Sequence, residues 1–271
     1  MSAHSSQQNE PTVQALFDLA GKTSLITGAS GYLGQAMARA LAEAGSRVVV
    51  TSRDLDRAQS AADSLPDPAG VGHVGVVIDQ MDDGSIQRGF TQALEKTGRI
   101  DVLVNNGNQA VAGDIADFTP EEFNRQLANA TGYFLLARLL RDHAVAQERP
   151  GSVIMLGSMY GMVGSYPDAY EGICPASPVG YHALKGGIIH MTRYLAVYWA
   201  ADGVRVNCLS PGPFPAPTVS GELVQRLASK CPMRRMGLPH ELKGAVVFLA
   251  SEAASYMTGQ NLVIDGGWTS W

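Results

Sequence analysis

The chain has 271 residues, of which 45% are hydrophobic and only 17% are charged, with a formal net charge of −5. Soluble domains usually contain about 25% charged residues, so a chain this apolar buries a large core, and global disorder is excluded. The mild acidity and the lack of a basic cluster argue against nucleic acid as the main partner.

No secretory signal is visible at the polar amino terminus, and no run approaches the roughly 18 consecutive apolar residues of a membrane span. Three cysteines, Cys174, Cys208 and Cys231, are too few and too scattered for a disulfide framework or a zinc site. We therefore expect a cytoplasmic protein with reduced thiols, no membrane partner and no metal. Residues 1–16 are expected to form a flexible tail.

Short apolar runs alternate with stretches of helical periodicity along the whole chain. The predicted strands span residues 23–27, 47–50, 73–78, 100–104, 152–156, 204–209 and 261–264. The predicted helices span residues 33–44, 55–65, 85–96, 121–145, 181–199 and 241–249. Because the strands are continuous apolar runs, we expect helices on both faces of the sheet. The alternation predicts an α/β fold with one doubly wound parallel sheet and no domain boundary.

A glycine-rich turn follows the first strand and opens the first helix. It contains Gly28, Ser30, Gly31, Tyr32, Leu33 and Gly34. Glycines there permit a positive φ and close backbone approach, and a helix amino terminus favours a pyrophosphate. A tight turn without a ligand is the alternative, but the position after the first strand favours a dinucleotide site.

The second strand ends at Ser52 and Arg53 without a carboxylate. An acidic residue in this region holds the ribose 2′-hydroxyl of NAD, whereas an arginine accommodates the 2′-phosphate of NADP. Arg53 offers a planar donor fork suited to phosphate, and Asp54 is expected to cap the next helix. We therefore expect NADP(H) rather than NAD(H); a solvated surface arginine is the alternative.

Tyr181 and Lys185 are four residues apart on a predicted helix, which places them on one face. An ammonium there would lower the phenol pKa from about 10, making Tyr181 a general acid/base near neutrality. On its own, such a spacing also fits a surface pair. His182, about 100° around the helix from Tyr181, is expected to be structural.

These motifs occur in one order along the chain, together with Asn105-Asn106-Gly107, Asn129, Ser158 and Pro211-Gly212. The array resembles the short-chain dehydrogenase/reductase family, in its shorter soluble branch. The resemblance extends over almost the whole chain and implies a Rossmann-type fold, with one dinucleotide-binding catalytic domain over residues 17–271. Members of this family commonly form homodimers or homotetramers.

The resemblance implies four catalytic residues. Asn129 would hold a water in a proton relay, Ser158 would bond the substrate oxygen, Tyr181 would transfer the proton, and Lys185 would also bind the nicotinamide ribose. Cofactor contacts are implied for Gly28, Ser30, Gly31, Tyr32, Leu33, Gly34, Ser52, Arg53, Asp79, Gln80, Asn106, Gly107, Tyr181, Lys185, Pro211, Gly212, Phe214 and Thr218. Within that set, Asp79 would contact adenine and Thr218 the carboxamide.

Three positions depart from the usual family pattern. Tyr32 occupies a glycine position of the turn, and Asn108 replaces a small residue after the fourth strand. Ser158 and Tyr181 are separated by the long stretch over residues 159–180, which is expected to form a wall of the substrate pocket. Its apolar side chains suit an apolar or ring-shaped substrate, with a self-packed loop as the alternative. A related insertion in family members that resemble sugar and polyol dehydrogenases keeps a polyhydroxylated substrate open as well.

The sequence thus predicts an NADP(H)-dependent oxidoreductase that interconverts a ketone and a secondary alcohol by hydride transfer, with Tyr181 as general acid/base. A sugar or polyol dehydrogenase using NAD(P)+ is the first alternative. A non-catalytic NADP(H)-binding regulator is the second, although the chain retains all four catalytic groups. The ending around Trp268 and Trp271 is expected to suit a subunit interface.

Overall fold

Seven parallel strands form one sheet in the computed structural model, which describes residues 10–270. The sheet order is β3-β2-β1-β4-β5-β6-β7. The strands are β1 (Thr23–Ile26), β2 (Arg47–Ser52), β3 (Val74–Val77), β4 (Val102–Asn105), β5 (Gly151–Leu156), β6 (Val204–Pro211) and β7 (Asn261–Ile264). The predicted α/β class and doubly wound Rossmann-type sheet are confirmed.

Helices cover both faces of this sheet. They are α1 (Val13–Phe17), α2 (Tyr32–Glu43), α3 (Leu55–Asp63), α4 (Asp83–Thr97), α5 (Pro120–Leu127), α6 (Asn129–Ala146), α7 (Pro167–Tyr170), α8 (Val179–Trp199), α9 (Gly221–Lys230) and α10 (Lys243–Ala250). Successive strand side chains point to opposite faces. Leu25 therefore packs with α4, α6 and α8, while its neighbour Ile26 packs with α2 and α10. This double burial explains the continuous apolar runs.

The order of the sheet reverses at β1, whose neighbours are β2 on one side and β4 on the other. The segments that follow β1 and β4 both line a cavity at the carboxyl edge of the sheet. In doubly wound sheets, ligands bind in the crevice at this switch point. The fold thus places the glycine-rich turn and the Asn106 segment side by side.

The predicted long helix over residues 121–145 is wrong, because two helices, α5 and α6, meet at Ala128. Helix α5 begins at Pro120, one residue earlier than predicted, and Thr119 caps it in a capping box with Glu122. The stretch over residues 159–180 is not featureless, since it contains one 3-10 turn and α7. Helix α9 was not predicted.

Residues 1–9 of the predicted tail lie outside the described part of the chain. Residues 13–16 of the predicted tail are helical, since they belong to α1, which the Thr12 side chain caps. Within residues 10–270, no helix combines the length and the apolar character needed to span a bilayer. Cys208 and Cys231 are buried free thiols, and Cys174 is an exposed one.

Candidate active site

The glycine-rich turn is held open by two backbone requirements. Gly28 has φ of +63°, and a Cβ on Gly34 would lie 2.2 Å from the Gly28 carbonyl oxygen. Helix α2 begins at Tyr32, after Gly31, with no side chain capping its first amides. Uncapped amides at a helix start suit an anion such as pyrophosphate.

A cavity of about 730 Å³ extends from this turn across the ends of β2, β3 and β4. The predicted cofactor contacts that line it are Gly28, Ser30, Gly31, Tyr32, Leu33, Gly34, Ser52, Arg53, Asp79, Gln80, Asn106 and Gly107. The volume lies within the range of small-molecule sites, and the uncapped helix start opens into it. These residues fit a dinucleotide.

Arg57 also lines the cavity, which the sequence analysis missed. Arg57 lies in the first turn of α3, whereas Arg53 precedes the Asp54 cap of that helix. Asp54 lies between them and caps α3, accepting from the Arg57 amide at 2.8 Å, as predicted. Both arginines are exposed, and they line the cavity together with Asp79.

Asn106 connects the segment after β4 to the segment after β1 by hydrogen bonds. Its Nδ2 donates to the carbonyl oxygens of Thr27 and Gly28 at 2.9 and 3.1 Å. The Thr27 hydroxyl accepts in return from the amides of Asn106 and Gly107 at 3.0 and 2.8 Å. Asn106 thus shapes the cavity wall through its side chain.

Asn129 is completely buried, and its side-chain amide is bonded to protein groups on every side. Its Oδ1 accepts from Gln80 Nε2 and from the Gln109 amide, both at 2.7 Å. Its Nδ2 donates to the carbonyl oxygens of Gln109 and Gln126 at 3.1 and 2.9 Å. The side chain therefore anchors the loop after β4, and the part it plays in a proton relay stays a prediction.

Ser158 follows β5 after one residue, Gly157, and its hydroxyl lies beside Tyr181 near the start of α8. The Ser158 Oγ accepts from the Tyr160 amide at 3.1 Å. Burial raises the pKa of Tyr181, and the Ser158 hydroxyl opposes this rise. The pKa of Tyr181 is therefore raised in this conformation and not lowered as expected, because the cost of burying a phenolate exceeds the effect of the Ser158 hydroxyl.

Lys185 is only 3% exposed, and its ammonium donates to the Leu156 carbonyl oxygen at 2.7 Å. Its Nζ lies 5.5 Å from the centre of the Tyr181 ring and 5.6 Å from that of Tyr133. Burial lowers the pKa of Lys185 to about 8, with the Cys208 thiol acting weakly in the opposite sense. The predicted pairing of Tyr181 and Lys185 on one helix face is therefore present.

Pro211 and Gly212 end β6 outside the large cavity. The Gly212 amide donates to the Ile264 carbonyl oxygen at 2.9 Å, which ties this turn to β7. Phe214 packs against Gly237 at a second cavity of about 110 Å³. Thr218 is exposed further along the same segment. Six of the predicted cofactor contacts do not line the large cavity: Tyr181, Lys185, Pro211, Gly212, Phe214 and Thr218.

The stretch over residues 159–180 packs into a third hydrophobic cluster with α9 and Trp268. The hydroxyl groups of Tyr160 and Tyr170 are hydrogen-bonded at 2.6 Å, and Tyr160 stacks on His182 with ring centres 4.6 Å apart. Tyr166 meets Trp268 edge to face. Trp268 is therefore a core residue rather than an interface residue, and Trp271 lies outside the described part of the chain.

Comparisons with known proteins agree with this architecture. A family model described as enoyl-(acyl carrier protein) reductase matches residues 28–269. D-arabinitol 2-dehydrogenase (ribulose-forming) of Candida albicans is 34% identical, over 94% of this chain and 95% of its own. A solved short-chain dehydrogenase/reductase of Mycobacterium marinum is 35% identical with a TM-score of 0.84, covering 96% of this chain and 99% of its own.

A gluconate 5-dehydrogenase of Burkholderia cenocepacia, solved in complex with NADP and tartrate, is 27% identical with a TM-score of 0.85. The alignment covers 96% of this chain and 100% of that one. The chain belongs to the short-chain dehydrogenase/reductase family. It is a nicotinamide-dependent oxidoreductase that interconverts alcohols and ketones, as the sequence predicted.

Within residues 10–270, no group of three or more His, Cys, Asp and Glu side chains is placed so that it could hold a metal ion. The chemistry that the described site offers is a phenol, a serine hydroxyl and a buried ammonium. These groups lie at the carboxyl edge of the sheet, where β4 and β5 are neighbours.

Proposed function

We propose that this chain interconverts a polyol and its ketose, with NADP(H) as hydride carrier and Tyr181 as general acid/base. The observation that carries the proposal is the placement of Tyr181. Its hydroxyl has Ser158 beside it, and the Lys185 ammonium lies one helical turn along α8. A positioned proton donor of this kind contributes about 10²–10⁴-fold to such reactions.

Four side chains take part in the proposed reaction, together with a bound nicotinamide. A bound nicotinamide supplies or accepts the hydride at the substrate carbon. The Ser158 hydroxyl bonds the substrate oxygen, and Tyr181 gives it a proton in reduction or takes one in oxidation. The Lys185 ammonium favours the phenolate form that arises when Tyr181 has given its proton. Asn129 fixes the loop after β4 beside them.

The preference for NADP(H) is supported by two guanidinium groups at the adenosine end of the cavity. Arg53 and Arg57 both line it, and Asp54 between them is engaged in capping α3. Guanidinium groups match the geometry of a phosphate better than that of a ribose hydroxyl. The related gluconate 5-dehydrogenase was solved with NADP.

A polyhydroxylated substrate is favoured over an apolar ring ketone. The aromatic side chains of the stretch over residues 159–180 pack on one another, on His182 and on Trp268, so they offer little free apolar surface. The named relatives act on an arabinitol and a gluconate. This favours the alternative that the sequence analysis had left open.

A homodimer or homotetramer is also proposed, with the outer face of α8 as contact surface. Tyr194, Val197 and Tyr198 are 58%, 79% and 63% exposed on that face. Exposed aromatic and aliphatic groups in one patch are typical of interfaces. Sedimentation of the wild-type chain and of Val197→Lys tests this, because a charge in the contact should yield a monomer.

The function is tested with a substrate panel and both nicotinamide cofactors. Pentitols, hexitols and aldonates are offered with NADP+ and NAD+, and the matching ketoses and cyclic ketones with NADPH and NADH. We expect turnover of a polyol–ketose pair, with NADP(H) preferred. Turnover of cyclic ketones alone would overturn the substrate class, and tight NADPH binding without any turnover would favour the regulator.

A further inference from the structure

A second tyrosine lies against the Lys185 ammonium. Tyr133 is on α6, one turn after Asn129, and it is 1% exposed. The Lys185 Nζ lies 5.6 Å from its ring centre and 5.5 Å from the ring centre of Tyr181. Both distances fall within the roughly 6 Å over which a cation is attracted to a ring face. The buried ammonium is therefore bounded by two aromatic rings and the Leu156 carbonyl oxygen.

The charged form of Lys185 must be stabilised by protein groups, because the side chain is almost completely buried from solvent. The titratable groups around it are Tyr181 on its own helix, Tyr133 on α6 and Cys208 on β6. Burial raises the pKa of the Cys208 thiol to about 11, so this group is neutral at physiological pH. Burial also raises the pKa of Tyr133, which keeps that phenol neutral. The ring faces and the carbonyl dipole are thus what favours the charged lysine.

Within the described part of the chain, the hydroxyl group of Tyr133 makes no contact that would favour tyrosine at this position. Among residues 10–270 it has no hydrogen-bond partner, and a buried hydroxyl without a partner costs stability. The ring, in contrast, is packed in the core beneath the site with Leu184 and Ile188 of α8. The contact that this residue makes with the reaction machinery is therefore the contact of its ring with Lys185.

We propose that Tyr133 is a positioning residue, whose ring holds the Lys185 ammonium in place and in its charged form. The inference rests on the proposed function only in taking Lys185 as part of the reaction machinery. A charged Lys185 is the form that favours the Tyr181 phenolate. Loss of the Tyr133 ring therefore weakens the proton donor without removing any group that touches the substrate.

The test measures the charge state of Lys185 directly. The chain contains five lysines, so 13C labelling at lysine Cε gives a small set of NMR signals, and Lys185→Arg identifies the one of interest. Its titration midpoint in the wild-type chain is expected near pH 8. Tyr133→Phe keeps the ring and should leave the midpoint within about 0.3 units.

Tyr133→Leu removes the ring and should lower the Lys185 midpoint by about half a unit to one and a half units. Leu140→Ala, in the same core two turns along α6, is the control for general loosening and should leave the midpoint unchanged. If Tyr133→Leu does not fold, Tyr133→Met fills more of the space, also without a ring face. The alkaline limb of the kcat profile should move to lower pH by the same amount.

A folded Tyr133→Leu or Tyr133→Met chain with the wild-type midpoint would overturn the inference. A shift of equal size in Tyr133→Phe would also overturn it, because the hydroxyl would then be responsible. The NMR titration does not depend on turnover. The two proposals can therefore fail separately. If the chain does not act on polyols, the titration result still holds, and if the titration contradicts the role of Tyr133, the proposed polyol activity is unaffected.

Discussion

The Lys230 ammonium lies 2.5 Å from Oδ2 of Asp168, so the end of α9 is joined to α7 beside the site. Arg226, one turn earlier, adds a bond to the Glu171 carbonyl oxygen at 2.7 Å. Lys230 also lies over the Tyr166 ring. The long stretch between Ser158 and Tyr181 is thereby fastened to the segment that follows β6.

Breaking this contact should affect substrate binding more than stability. Asp168→Asn and Lys230→Met each remove the ion pair, which is largely exposed, so the free energy of unfolding should fall by less than about 1 kcal/mol. We expect the substrate KM to rise several-fold with little change in kcat, because the wall is less well held. Glu43→Gln, which breaks the comparable Lys243 pair far from the site, should leave KM unchanged. Equal KM effects in all three variants would contradict this account.

The two arginines of the cavity should set the cofactor preference. Arg53→Ala and Arg57→Ala are each expected to weaken NADPH binding by roughly 10- to 100-fold, the effect of losing one charged hydrogen bond. NADH binding should change by less than about threefold. Fluorescence titration of the reduced cofactors measures both. Arg39→Ala, on the exposed side of α2, is the matched control, and equal losses for both cofactors would remove the case for NADP(H).

Gly34 should be intolerant of a side chain. Its Cβ would lie 2.2 Å from the Gly28 carbonyl oxygen, so Gly34→Ala must push α2 away from the turn. We expect a loss of about 1–3 kcal/mol in the free energy of unfolding, with much weaker cofactor binding. Gly244→Ala, in α10 with open space around the new methyl group, should instead stabilise the chain by up to about 1 kcal/mol. Urea unfolding of both variants measures these two changes, and a Gly34→Ala variant as stable as the wild type would contradict the prediction.

Glu241 should contribute a pH-dependent part of the stability. The Arg235 guanidinium donates two hydrogen bonds to it, at 2.8 and 2.6 Å, and lowers the pKa of Glu241 to about 2. The folded pKa lies below the unfolded value near 4.3, so this stabilisation is present above about pH 4.3 and is lost as the pH falls toward 2. The Tm deficit of Glu241→Gln should therefore be largest at neutral pH and shrink on acidification. A Tm deficit that stays constant between about pH 7 and pH 2 would contradict this account.

The sequence was sufficient to predict the sheet and the placement of Tyr181 and Lys185 on one helix face, because both rest on local patterns. The apolar runs required a sheet buried on two faces, and the Tyr181 spacing required one helix face for Tyr181 and Lys185. The break at Ala128 was not predictable in this way, since apolar periodicity continues across it. Arg57 was missed because its place in the cavity depends on where α3 begins, at Leu55.

Burial could not be read from the sequence, and it changed two interpretations. The pKa of Tyr181 is raised because burial disfavours the negatively charged phenolate. Trp268 looked like a surface aromatic at the end of the chain but packs against Tyr166 and α9. In both cases the outcome depends on contacts between segments far apart in the sequence.

The most direct test compares Tyr181→Phe with the wild-type chain in oxidation of the best polyol and in titration with NADPH. Tyr256→Phe removes a fully exposed hydroxyl outside α8 and serves as control. We predict that kcat of Tyr181→Phe falls by about 10²–10⁴-fold while NADPH affinity stays within about threefold of the wild type. Turnover within about tenfold of the wild type would contradict the assignment of Tyr181 as the proton-transfer group.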